Sequence, residues 1–377
     1  MSANYNLQEI GLAKAFNKRG IKCDVVYCGK KVIKTVPVEF AAGEYFNVFY
    51  LSGKNFLKNV IYTGLYDLIG KYDILLAGGY DQIQSWLLAK KYHSKLVIYH
   101  GTYYSNFNIR YNIKCRLFDM LFLSRYRKYE IPFVTKSILA ANFLRKKGIK
   151  NVTAIGVGID TEQLKSQQSI ESELSKEISQ QKSNGNNILL YIGEISRRRN
   201  TLFLLAILKA MIVKKKNIKL VFIGDGNMEY KEECFHYIKT NGLKDHIIYE
   251  NNVKHELLPE IYKLSDIFLL PTKYEIFGMV LLEAMYFGTP VITTYNGGSD
   301  MLIQNGITGI IRNDFHVDGW CDDILKLLKD KTLRNLMSKS AKQRIIDCFT
   351  WDMLVNRFLD VFAQQAAKKA NEYQFYY

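Results

Sequence analysis

The chain has 377 residues, a length that suits two or three compact units better than one. Hydrophobic residues at 48% and charged residues at 23% allow a large buried core and exclude a mainly disordered chain; 5 prolines and 25 glycines exclude fibrous and low-complexity classes. Residues 1–160 hold 24 Lys and Arg against 10 Asp and Glu, so +14 of the net +16 sits in the first half and points to an anionic partner.

Short Val/Ile/Leu runs alternate with longer amphipathic segments, the pattern of buried parallel strands joined by crossover helices. In the first half this predicts strands near Cys23–Cys28, Ile74–Ala77, Leu96–Tyr99, Phe133–Thr135 and Val152–Ile155, with helices over Leu7–Arg19 and Ser137–Lys147. In the second half it predicts strands at Ile188–Ile192, Lys219–Ile223, Ile247–Tyr249, Ile267–Leu270, Val291–Thr294 and Gly309–Ile311. The polar stretch Thr161–Asn187 reads as a linker, with a solvated helix over Ile170–Gln181 that adds little core. The division expected is therefore a Rossmann-like domain over 1–160, a linker over 161–187, a second such domain over 188–352, and a helix over 353–377 that packs back on one of the two. Two doubly wound α/β domains facing each other bind ligands at the carboxyl ends of their strands. The first helix signal follows only six polar residues, so the N-terminal domain is expected to lack its usual first strand, and the natural protein to carry roughly ten more residues at its front.

The six cysteines lie far apart, with neither a CxxC pair nor metal-ligand spacing, which suits reduced thiols in the cytoplasm. No apolar run approaches the ~18 residues of a membrane span, so membrane contact is expected to be peripheral.

The segment richest in chemistry is Tyr274-Glu275-Ile276-Phe277-Gly278-Met279-Val280-Leu281-Leu282-Glu283. A strand ends at Pro271, a loop carries Glu275, and a helix starts near Gly278. The amides of Phe277, Gly278, Met279 and Val280 then lie unpaired at a helix start, where a phosphate or sugar hydroxyl docks. Glu283 falls among apolar residues and needs hydrogen-bond donors, which ribose hydroxyls would supply.

This segment resembles the E-x7-E motif of the retaining glycosyltransferases of sequence family 4, which have the GT-B fold. The resemblance implies that Glu275 contacts the donor sugar near the reacting centre and that Glu283 binds the nucleotide ribose. Leu189 to Asn200 looks like the family's strand and loop carrying a diphosphate-binding Arg and Lys; here Glu194 stands in the Arg position and Arg199 in the Lys position, with Gly193 before them and Arg198 beside. A carboxylate near a diphosphate is unfavourable, so Glu194 is expected to turn away or to pair with an arginine. Gly224, in Val221-Phe222-Ile223-Gly224-Asp225-Gly226, resembles the nucleotide-side glycine turn, and Val253 belongs to the loop framing the base, where Asn251 replaces the commoner Gly. His100 is similar to the family's cleft-facing histidine that touches the donor sugar, and Ile155–Asp160 to its hinge, with Gly156 where Pro or Asn is usual.

The resemblance implies sugar transfer from a nucleotide-sugar donor to an acceptor sugar or lipid-linked glycan, with retention, in envelope polysaccharide or glycolipid assembly. Glu275, His100 and Arg199 are the candidate catalytic residues. No cofactor or metal is expected, because cationic side chains and a helix terminus neutralise the diphosphate. The alternatives are a nucleotide-sugar epimerase of the same architecture and a catalytically idle nucleotide-sugar-binding protein. The basic segment with Arg110, Lys114, Arg116, Arg125, Arg127 and Lys128 carries Tyr103, Tyr104, Phe107, Tyr111, Phe118, Phe122, Tyr126 and Tyr129. It suits an anionic membrane at the inner face of the plasma membrane better than nucleic acid, for which no helix-turn-helix, zinc-finger or RNA-binding motif is present.

Overall fold

A computed structural model describes residues 8–29, 34–56, 59–166, 170–215 and 217–374. They divide into two units: Met1–Gly158 with Thr350–Tyr377, and Ile159–Phe349.

The first unit is built on four parallel strands, β6 (Leu75–Gly78), β7 (Leu96–His100), β8 (Phe133–Thr135) and β9 (Val152–Ala154), paired in chain order. Every residue of β7 is buried, as expected of a strand covered on both faces. The predicted strand at Cys23–Cys28 does form, as β1 (Val25–Cys28), but it belongs to another sheet. That sheet also contains β2 (Lys34–Ala41) and β3 (Glu44–Leu51), an antiparallel pair flanking a turn with Gly43 at φ 76°. β3 pairs with β1 in parallel, and the helix Gln8–Asn17 packs Ile10 and Ala13 against Val25, Phe46 and Val48. A short hairpin, β4 (Gly53–Phe56) and β5 (Asn59–Tyr62), follows. Residues 1–7, on which the expectation of a missing first strand bears, lie outside the described residues.

The last helix, Trp351–Gln374, joins the first unit by aromatic packing. Phe358 meets the edges of Phe16 and Tyr99, and the Trp351 indole lies so close to Gly11 and Gly158 that an added Cβ would come within 2.2 and 2.5 Å of it.

The second unit has six parallel strands: β10 (Asn187–Ile192), β11 (Ile218–Ile223), β12 (Ile247–Glu250), β13 (Ile267–Leu270), β14 (Val291–Thr294) and β15 (Ile310–Arg312). Their order is β12-β11-β10-β13-β14-β15, so the chain runs outward in one direction from β10 and then in the other from β13. The described residues of the stretch 161–187 do not form a solvated linker. The contact boundary falls at Gly158/Ile159, and the helix Glu173–Ser183 buries Leu174 and Ile178 in the second unit. Ser172 and Ser175 form its capping box, and Lys182 Nζ donates to Leu264 O at 2.7 Å. Two apolar residues one turn apart, held at both ends, suffice to dock a helix that is polar elsewhere.

Candidate active site

Because the strand order reverses between β10 and β13, the loops leaving these neighbours meet at the carboxyl edge of the sheet, the place where such folds bind ligands. The loops are stitched together by backbone groups. Lys273 N donates to Arg198 O at 2.8 Å, and Arg198 Nη1 to Tyr274 O at 3.0 Å. Arg198, Arg199 and Glu275 are thereby brought to one point. Glu275 is buried; its Oε2 makes a close ion pair with Arg199 Nη1 and a longer one, 3.6 Å, with Arg198 Nη1. Its Oε1 accepts from its neighbour's amide, Ile276 N, at 3.0 Å, and Phe277 N approaches the same oxygen at 3.5 Å. The Phe277 amide, expected to face a ligand, is thus turned to Glu275.

Glu194, still half exposed, pairs with Arg198 Nη2 at 3.1 Å. The two arginines and two glutamates sum to zero charge. A diphosphate arriving here would find the Arg199 Nε edge, which is buried and has no hydrogen-bond partner among the described residues, and would compete with Glu275 for the rest of the fork.

The helix Met279–Phe287 begins at Gly278, in the left-handed region at φ 80°, and no side chain caps it. Only glycine takes that geometry without strain, and an added Cβ would lie 3.2 Å from Glu275 Cγ. The first turn, with Met279 and Val280 half-buried, therefore presents its amides without an internal competitor. Glu283, deeper in the helix, is buried, but protein donors already hold it. Tyr262 Oη donates to its Oε2 at 2.9 Å, and His255 Nε2 lies 3.3 Å from its Oε1. The expectation that ribose hydroxyls alone would satisfy this carboxylate is corrected accordingly; a ligand would share it with Tyr262 and His255.

Around β11 the glycines serve close packing. An added Cβ at Gly224 would fall 1.8 Å from Gly193 O, so these two turns lie directly against each other, with Gly193 near Arg199 Nε. The following loop is clipped to them: Lys231 Nζ bridges Asp225 Oδ1 and Asn251 Oδ1, both at 2.7 Å, and holds the Asp225 carboxyl below its usual range. Val253 is half-buried in that loop, two residues before the His255 that meets Glu283.

His100 belongs to the first unit and closes β7. Its imidazole is enclosed rather than open, edge-on to Tyr80 at 5.0 Å and stacked on Phe143 at 5.7 Å, and its Nε2 has no hydrogen-bond partner among the described residues. Burial pushes its pKa down from 6.5 to about 4, against the opposing pull of Asp81 and a backbone hydrogen bond at Thr102. It is therefore a neutral imidazole at physiological pH. The unfolded chain takes up a proton below pH 6.5 and the folded one only near 4, so stability is lost as pH falls across that window, by about 3 kcal/mol in full. Unfolding measured from pH 7 to 4 should show this loss in the wild type and a smaller one in His100→Asn.

Residues 173–344 match the family described as glycosyl transferases group 1. The second unit carries a group 1 glycosyltransferase domain. N-acetyl-alpha-D-glucosaminyl L-malate synthase of Bacillus anthracis is 32% identical over 155 residues, 41% of this chain and 39% of that protein. Lipopolysaccharide 1,2-N-acetylglucosaminetransferase of Salmonella typhimurium is 29% identical over 178 residues, 45% of this chain and 46% of that protein. The aligned segments thus span less than half of either relative. Over nearly the whole chain the fold is that of GT-B glycosyltransferases: HepE of Anabaena, solved with UDP-glucose, superposes with a TM-score of 0.68 at 16% identity, covering 95% of this chain and 96% of HepE.

The group 1 domain also contains site-forming residues that the sequence reading passed over. Asn296 caps the helix Gly297–Leu302 with its side chain, and Gly297 N donates to Glu275 O at 3.0 Å. Added Cβ atoms at Gly297 and Gly298 would fall 2.2 Å from Ile276 O and 1.7 Å from Phe277 O. The Asn-Gly-Gly-Ser run, a helix cap followed by two residues without side chains, was the available signal. Tyr262 and His255 had none, since only the fold brings them to Glu283.

Proposed function

We propose that the chain is a retaining hexosyltransferase that moves a sugar from a nucleotide-sugar donor to a hydroxyl of an acceptor sugar or lipid-linked glycan, in envelope polysaccharide or glycolipid assembly. The observation that carries this reading is the ion-paired group Arg198, Arg199 and Glu275, seated at the reversal of strand order beside an uncapped helix start. The activities named for the Bacillus and Salmonella relatives, and the UDP-glucose bound to HepE, favour a nucleotide-activated hexose.

In this reading the diphosphate lies against the first-turn amides of Met279–Phe287 and the Arg199 fork, with Arg198 in support. As the glycosidic bond to phosphate stretches, negative charge grows on the leaving oxygens and these preorganised donors stabilise it; single donors of this kind are worth about 10² to 10³ in rate. Glu275, released in part from Arg199, orients the sugar and stabilises positive character on its ring. Glu283 accepts from the ribose together with Tyr262, Gly193 and Gly224 bring backbone close to the nucleotide, and Val253 borders the base. Two arginines and a helix terminus carry the phosphate charge, so this mechanism assigns no step to a metal ion, and the site is read as cytoplasmic.

A panel of nucleotide sugars, each tested in EDTA for its effect on melting temperature and then for turnover with and without acceptor glycans, checks the proposal. One donor should raise the melting temperature, by mass action, and be consumed only with acceptor present. Conversion without acceptor would point to an epimerase, and binding without any conversion to an idle protein.

A further inference from the structure

The helix Ile109–Lys128 turns Cys115, Phe118, Leu123 and Tyr126 into the core of the first unit, yet its opposite face is not the polar one expected of a surface helix. Ile109, Ile113, Leu117, Met120 and Leu121 are 63, 51, 54, 74 and 61% exposed. Their spacing puts them on one stripe along a helix roughly 30 Å long at 1.5 Å per residue. Tyr104 and Phe107, in the segment leading into the helix, are also partly exposed, with Tyr104 held by Lys147 and Phe143. The aromatics Phe118 and Tyr126 are core residues, and Tyr111, Phe122 and Tyr129 pack against that core, so most of the rings in this segment are not its outer surface.

Charge surrounds the stripe. Arg110 and Arg116 are exposed and have no carboxylate partner among the described residues, and exposed Arg127 and Lys128 lie at the far end. The single acid of the helix, Asp119, is neutralised by Lys147. We propose that this face docks on the surface of an anionic lipid bilayer, with Leu117, Met120 and Leu121 entering the boundary between headgroups and acyl chains and Arg110 and Arg116 meeting headgroup phosphates. Among the described residues no helix is long and apolar enough to cross a membrane, so this one lies on the surface. Contact with a second copy of the chain would set two arginine rims against each other, whereas an anionic surface complements them. The docking rests on the transferase reading only for its purpose, access to a lipid-linked acceptor.

The test is co-sedimentation of the full chain with vesicles of phosphatidylcholine, alone or mixed with phosphatidylglycerol. Partition onto the anionic vesicles should be at least roughly tenfold stronger and should fall with added salt. The triple variant Leu117→Ser, Met120→Ser, Leu121→Ser and the double variant Arg110→Glu, Arg116→Glu should each weaken it by roughly tenfold or more. These positions are exposed, so melting temperature should hold, as should the shift produced by the donor sugar. Equal binding to neutral vesicles, undiminished binding by the triple variant, or a wild-type dimer that the triple variant converts to monomer would each overturn the proposal. A missing donor shift alongside intact vesicle binding would instead remove the transferase reading and leave the docking face standing.

Discussion

Replacing Glu275 with glutamine is expected to lower kcat by about 10³-fold while nucleoside diphosphate binding holds or tightens. The Glu275 carboxylate absorbs much of the charge of Arg199 and part of that of Arg198. Glutamine keeps an oxygen for Ile276 N but removes that charge, so the arginine fork becomes more available to phosphate oxygens. Reaction should suffer for the opposite reason, since a neutral amide cannot stabilise a sugar ring that is becoming positive. The change also has a stability cost. Arg199 is 13% exposed, and leaving a largely buried cation without its partner typically costs about 3 kcal/mol. Calorimetric titration of the nucleotide, kcat and the melting temperature separate these effects. A variant that melts early yet turns over normally would make Glu275 a structural anchor for Arg199 and take it out of the reaction.

This site was legible in the sequence to the extent that its parts are local. The helix start at Gly278, the strand ends preceding it and the spacing of Glu275 and Glu283 are all readable along the chain, because strand, turn and helix are set by patterns a few residues long. The central strands of the two parallel sheets, β7, β8, β10, β11, β13 and β14, were legible for the same reason, being nearly continuous buried runs rich in apolar residues. What joins Glu275 to Arg199 is the reversal of strand order, a non-local fact. The donors to Glu283, Tyr262 and His255, lie 21 and 28 positions away and arrive only through packing. The hairpin of β2 and β3 went unread because its alternation is broken: Val36, Val38 and Phe40 recur at every second position on one side of Gly43 but with Pro37 between the first two, and on the other side Phe49 interrupts the series Phe46, Val48 and Tyr50. Period-two alternation in a half-exposed sheet is a weaker signal than a buried run. Which aromatics of the basic helix face solvent was not legible for a related reason: composition says that a segment holds rings, and only the packed face decides which are wet.

Gly298→Ala should destabilise the second unit by about 3 kcal/mol and weaken donor binding, although the substitution adds one methyl group. The reason is steric and local. That methyl would lie 1.7 Å from Phe277 O and 2.7 Å from Phe277 C, both backbone atoms that cannot rotate aside. Either the helix Gly297–Leu302 must retreat, straining the Asn296 cap, or residues 275–277 must move. Moving them shifts Glu275 relative to Arg199, because Glu275 O is held by Gly297 N and its carboxylate by the arginine. Misplacement of this order in preorganised donors is enough to cost binding and rate together. Gly70→Ala is the matched control: its backbone is ordinary helical, and an added Cβ would meet nothing within 4 Å. There the methyl should stabilise by about 0.5 kcal/mol by narrowing the unfolded ensemble. Melting curves of the two variants with and without donor make the comparison. A Gly298→Ala protein as stable as the wild type, with an unchanged donor shift, would mean that the loop carrying Glu275 is not braced by the Asn296 helix and that the placement of Glu275 rests on Arg199 alone.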